Sequence, residues 1–125
     1  MRRHISLSLI FIFFLAACGT NAPSEIAYAD LPDTGDSLNG EVLYREQACI
    51  ACHIEGATGA PNLANFAERA GTTVAGQSAH EYTFYSIVEP AQHIAEGYGN
   101  AMPNNYDNNM TAQEIADLVA YLLDS

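Results

Sequence analysis

The hydrophobic pattern opens with Ile5 to Leu15, a block in which almost every residue is apolar. Arg2 and Arg3 precede it and the small residues Ala16 and Ala17 follow, the layout of a secretory signal segment. The run is too short to span a bilayer, which takes ~20 apolar residues. Residues 19–35 are polar, carry Pro23 and Pro32, and follow no helical or strand period. Periodicity begins at Asp36 or Ser37, either of which can cap a helix. There Leu38, Val42 and Leu43 share one helical face, with Gly40 and Tyr44 alongside. Leu63 to Ala70 reads as a short helix ending at Gly71. Ser78 and Glu81 form a capping-box pattern that opens a helix through Tyr82, Phe84, Tyr85, Ile87 and Val88 and stops at Pro90. Gln92 to Asn109 is rich in Gly, Asn and Pro and reads mostly as loop. Thr111 and Glu114 repeat the box, and Ile115, Leu118, Val119 and Leu122 follow at i, i+3, i+4, i+7. No strand pattern or internal repeat stands out. The expectation is an all-α domain of about four helices over residues 36–125, preceded by a signal segment (1–17) and a tether (18–35).

Charge narrows the choice of partners. The chain has 125 residues and a formal net charge of −11. All its acidic residues follow Cys18, there is no lysine, and only Arg45 and Arg69 remain basic once the signal segment is removed. A basic footprint for nucleic acid is missing. The acids suit a basic protein surface or serve as solvated exterior. A loop-rich domain of this size buries little core by itself.

The stretch Cys49-Ile50-Ala51-Cys52-His53 carries the chemistry. A C-x-x-C-H run is the attachment pattern of a c-type haem. Two thiols three residues apart reach the two vinyl groups of one porphyrin, and the adjacent histidine supplies an axial nitrogen to iron. Haem would add the apolar mass the domain lacks, so the haem-free chain is not expected to fold. The competing readings are a thioredoxin-like dithiol, which calls for a βαβ pattern, and half a zinc site, which calls for a second Cys/His pair. Neither accompaniment is visible. The third cysteine lies in Leu15-Ala16-Ala17-Cys18-Gly19, which resembles the bacterial lipobox. That resemblance implies lipidation at Cys18 and anchoring to the extracytoplasmic face of a membrane; the alternative is ordinary cleavage that leaves a free thiol. A tether over residues 19–35 would reach about 55 Å when extended.

From Asp36 to Asp124 the chain resembles class I monohaem cytochromes c. The resemblance rests on Cys49 to His53, on Gly59-Ala60-Pro61-Asn62-Leu63, on Met102-Pro103, and on Tyr121 in the last helix. It implies a fold in which Gly40 and Tyr44 cross Leu118 and Tyr121. Pro61 corresponds to the proline whose carbonyl accepts from the proximal histidine, here His53, and Leu63 to an apolar haem contact. Ala60 stands where the family has glycine. Met102 corresponds to the sixth ligand. Met110, His80 and His93 are the other side chains able to reach iron, although Met110 suits a hydrophobic staple and His80, in its capping box, suits solvent. Tyr82, Tyr85 and Tyr121 read as packing residues. Tyr98, Tyr106, Asn104 and Asn105 are candidates for the haem propionates.

The function implied is one-electron transfer without a small-molecule substrate, rather than enzymatic turnover. Residues 86–103 further resemble two relatives: the cytochrome domain fused to subunit II of some haem-copper oxidases, and the monohaem lipoprotein subunit of alternative complex III. The second points to a subunit of a quinol-oxidising membrane complex. The alternatives are a free, membrane-tethered shuttle to a terminal oxidase or reaction centre, and an open-site haem sensor or peroxidase.

Overall fold

The structure, a computed structural model, describes residues 24–125. The expected signal segment and Cys18 lie outside those residues. Among the described residues there are six α-helices and no strand: α1 Ser37–Glu46, α2 Cys49–Cys52, α3 Phe66–Thr73, α4 Ala79–Val88, α5 Tyr106–Asn109 and α6 Ala112–Asp124. Four are long, and α2 and α5 are single turns. None is long and apolar enough to cross a membrane.

The caps form where the sequence places them. Asp36 accepts from the N–H groups of Leu38 and Asn39 at the start of α1. The Ser78 hydroxyl accepts from Glu81 N–H. At Thr111 both halves of the box are made, and Glu114 returns a carboxylate to Thr111 N–H at 2.7 Å. The stripe on α6 points inward: Ile115, Leu118, Val119 and Leu122 are buried and meet Phe84, Ile87 and Val88 of α4 in one core. Met110, directly before the Thr111 cap, is also buried there.

Helices α1 and α6 cross at Gly40. A Cβ on Gly40 would lie 2.7 Å from the Asp117 carbonyl carbon and from Tyr121 Cβ, so only glycine permits this approach. Tyr44 and Tyr121 pack beside it with ring centroids 5.4 Å apart. Asp117, buried in α6, accepts from Asp36 N–H at 2.7 Å, Asn39 Nδ2 at 2.8 Å and Gln113 Nε2 at 2.9 Å. A buried carboxylate with three donors is satisfied and ties the start of α1 to α6.

Three expectations are corrected. The buried face of α1 is Gly40, Leu43 and Tyr44, whereas Leu38 is 79% and Val42 49% exposed. The Gly40 crossing turns the backbone, not the apolar stripe, toward α6. The third helix starts at Phe66 and carries Gly71 inside it. An Asn62 turn, with Ala64 N–H donating to Asn62 Oδ1, and left-handed Asn65 (φ 55°) use up the residues before Phe66. Finally, residues 24–35 pack against the helices rather than running free as a tether. Leu31 is buried in the core, and Tyr28 packs on Phe84 at 5.4 Å and Tyr85 at 6.2 Å. The Tyr28 hydroxyl and His80 Nδ1 share a hydrogen bond of 3.1 Å, so His80 faces this strap rather than only solvent. Glu25 N–H donates to Asp107 at 2.9 Å, and Gln113 donates to the Thr34 carbonyl at 3.2 Å. The strap's apolar residues follow no regular period, which hides it in the sequence.

Candidate functional site

The chain leaves α1 through Gln47 and turns at Ala48, a left-handed residue (φ 59°) that starts α2 on a new axis. One helical turn then carries both thiols. Cys49 is half-buried and Cys52 is exposed, and no disulfide joins them. Burial pushes the Cys49 thiol above its ordinary value and Cys52 pushes the same way, against a backbone hydrogen bond that lowers it. His53 ends the turn, with its N–H on the Cys49 carbonyl at 3.0 Å. Its ring Nδ1 lies 2.8 Å from the Pro61 carbonyl. A carbonyl can only accept, so Nδ1 carries the proton and Nε2 is left as the ring's lone-pair nitrogen.

Cys49, Cys52, His53, Pro61, Leu63 and Met102 line one cavity of about 380 Å³. That lies within the ~300–1,000 Å³ of small-molecule and cofactor sites. Tyr82, Tyr98, Tyr106 and His93 also line it. The remaining candidates fall elsewhere. Tyr85 packs with Tyr28 and Phe84, Tyr121 with Tyr44, Met110 in the core, and His80 against the strap. Asn104 and Asn105 are exposed and do not line the cavity. Of the four possible sixth ligands, the cavity therefore holds Met102 and His93.

Sequence reasoning missed Phe66, Pro90 and Ile94 as lining residues. Phe66 stacks on Tyr82 with centroids 5.9 Å apart, and His93 meets the Tyr82 edge at 5.7 Å. Pro90, the helix stop, was the one available signal, since the chain must turn there. Two tyrosines respond to their surroundings. The Tyr44 phenol, whose hydroxyl donates to the His53 carbonyl at 3.4 Å, is pushed up to about 12 by burial, with smaller contributions from Cys49 and Tyr121. Burial also raises Tyr106, with the two thiols adding to it.

Among the described residues, no Asp, Glu, Lys or Arg lines this cavity, although the chain has 15 acidic residues. The walls are mostly apolar and aromatic, and the donor set is two thiols, the fixed-tautomer imidazole of His53, the imidazole of His93 and the Met102 thioether. That set fits a flat apolar macrocycle bound through sulfur with iron at its centre, and a zinc site fits poorly: no group of three or more His, Cys, Asp or Glu stands together among the described residues.

Fold and site together define an all-α carrier of a covalently attached redox group. The cytochrome c family model matches residues 37–125, most of the chain. The chain belongs to the cytochrome c family, and its cofactor is covalent haem c with iron. Searches of curated proteins and of solved structures returned no match.

Proposed function

We propose that this protein passes single electrons between membrane-associated redox partners, with Cys49 and Cys52 holding the haem and His53 and Met102 as axial ligands. Family membership supports haem-based electron transfer. The observation that carries the ligand assignment is the His53–Pro61 bond, which leaves Nε2 as the nitrogen available to iron inside the cavity that also holds Met102. When bound, the haem iron supplies a one-electron couple. The protein's residues do the rest. The two thiols fix position and orientation, and Pro61 holds the His53 tautomer and raises its basicity. A soft Met102 sulfur favours the ferrous state. The mostly apolar walls bring no charged side chain against the bound group. If His53 and Met102 both hold the iron, no coordination site would remain for a substrate, and electron transfer would need little movement of the protein.

The ferric protein is expected to show a weak far-red sulfur-to-iron band, and the reduced protein to bind carbon monoxide poorly. Rapid carbon monoxide binding by native protein would overturn the reading in favour of a sensor or peroxidase. For the setting, we propose export, a lipid anchor at Cys18 and membership of a quinol-oxidising membrane complex, with a freely tethered shuttle as the alternative. The lipobox-like Leu15 to Gly19 supports the anchored reading. Solubilising native membranes in mild detergent and sizing the chain separates the two. Co-migration with other subunits supports a fixed relay, and migration as a small lipoprotein supports a shuttle.

A further inference from the structure

Two arginines lie among the described residues, and they are used differently. Arg45 pairs with Glu41 one turn away on the exposed face of α1, an arrangement worth little. Arg69 spends its guanidinium on backbone. Nη2 donates to the Asn62 carbonyl at 2.6 Å and Nη1 to the Ala64 carbonyl at 2.8 Å, while its central carbon sits 5.7 Å from the Phe66 ring centroid. The Asn62 side chain accepts from Ala64 N–H at 2.7 Å, and Phe66 N–H bonds the Leu63 carbonyl at 3.0 Å. One planar side chain thus closes the loop from Asn62 to Phe66. The residue before that loop is Pro61, whose carbonyl meets His53 at 2.8 Å.

We infer that Arg69 is a positioning residue for the proximal histidine: by clamping the Asn62 and Ala64 carbonyls it fixes the Pro61 carbonyl against His53 Nδ1. This rests on the proposal that His53 ligates the iron. The Pro61 carbonyl lies in the rigid peptide plane that ends at Asn62 Cα and the held Asn62 carbonyl in the next plane, so the clamp limits the Pro61 carbonyl by fixing the Asn62 φ and ψ between them. Two carbonyls two residues apart suit a planar fork of donors, and a lysine ammonium would satisfy them one at a time. Outer groups of this kind orient a ligating imidazole and set its basicity. Loosening the clamp weakens the Nδ1–H bond, lowers donation to iron and favours the reduced state.

The test uses ferric holoprotein in native, Arg69→Lys and Arg69→Gln forms. Lysine keeps the charge and loses the fork; glutamine loses both. Solvent exchange of the His53 Nδ1 proton, followed by NMR, is expected to be slow in native protein and about tenfold faster in Arg69→Lys, the scale set by losing one charge-assisted bond. The reduction potential of Arg69→Lys is expected to rise. A purely structural role would lower thermal stability and leave the exchange rate and the Arg69→Lys potential unmoved, which would overturn the inference. If Arg69→Gln fails to mature, Arg69→Lys and the native protein decide the matter. Native protein lacking histidine-ligated covalent haem overturns the parent reading as well. Native protein that has it, with Arg69→Lys unchanged, overturns this inference alone.

Discussion

Gly40→Ala is the sharpest probe of this fold. The added Cβ would lie 2.7 Å from Tyr121 Cβ and from the Asp117 carbonyl carbon. Carbon atoms rest at ~3.5–4.0 Å, so α1 and α6 must part by about 1 Å. Neither obstacle is the flexible end of a side chain. Parting the helices also stretches the bonds from Asp36 and Asn39 to Asp117, now 2.7 and 2.8 Å. Overpacking of a rigid contact costs ~1–3 kcal/mol, and this one belongs at the upper end. Alanine returns ~1 kcal/mol through helix propensity. The expected net loss is therefore about 2 kcal/mol, or roughly 8–16 °C in Tm for a domain of this size. Thermal unfolding of ferric holoprotein, followed by circular dichroism and haem absorbance, measures it. Gly71→Ala is the control. Gly71 lies inside α3, and its added Cβ would meet only Ala79, its Cβ at 3.6 Å and its backbone nitrogen at 3.8 Å, both ordinary contacts. That change is expected to stabilise by up to ~1 kcal/mol. If Gly40→Ala is no less stable than native while Gly71→Ala behaves as stated, the close crossing is wrong.

Other measurements probe the site, the core and the strap. Met102→Ala is expected to abolish the far-red band and lower the potential, while Met110→Leu, in the core, should leave both intact; the reverse pattern would exchange their roles. Hydrogen bonds from Asp36, Asn39 and Gln113 hold the Asp117 carboxyl below the usual carboxylate range, outweighing burial, which alone would raise it. Its stabilisation is thus present above the unfolded carboxylate value near ~4 and is lost as pH falls through the lower folded value. Asp117→Asn should flatten the acid limb of a stability–pH curve, and identical acid limbs would count against that assignment. Leu31→Ala should cost ~2 kcal/mol in denaturant unfolding because the strap is part of the core, where a free tether would tolerate it. Haem-free protein should show no cooperative thermal transition, and observing one would mean the protein core suffices alone.

What could be read from the sequence follows a physical divide. The α4 and α6 boundaries were legible because hydroxyl caps and a 3.6-residue period are local codes, written within a few residues of where they act. The C-x-x-C-H turn was legible for the same reason. The face of α1 was not. Leu38 and Val42 suggested a stripe, but the contact is made by Gly40, whose contribution is the absence of a side chain. Hydrophobicity cannot report that, and the resemblance to a known helix crossing could. The strap escaped because Tyr28 docks on His80 and Phe84, more than fifty residues away, while Ile26 and Leu31 join the core singly, with no repeat to announce them.

The loop from Gln92 to Tyr106 shows the deepest reason for such misses. It contributes His93, Ile94, Tyr98 and Met102 to the cavity, yet its apolar residues have neither the 3.6 nor the 2.0 period. Those periods arise when a helix or strand turns one face to other protein. A chain that wraps a flat cofactor answers to the cofactor's outline, so its apolar positions are spaced by loop geometry. The same logic explains the missing charges. In so acidic a chain, a cavity lined by two dozen residues without one carboxylate fits an apolar guest, since burying an acid against an apolar macrocycle costs several kcal/mol unless it is paired. Aperiodic apolar residues in a Gly/Asn/Pro-rich loop, downstream of a covalent attachment motif and free of charge at the cavity wall, are what cofactor packing looks like in a sequence.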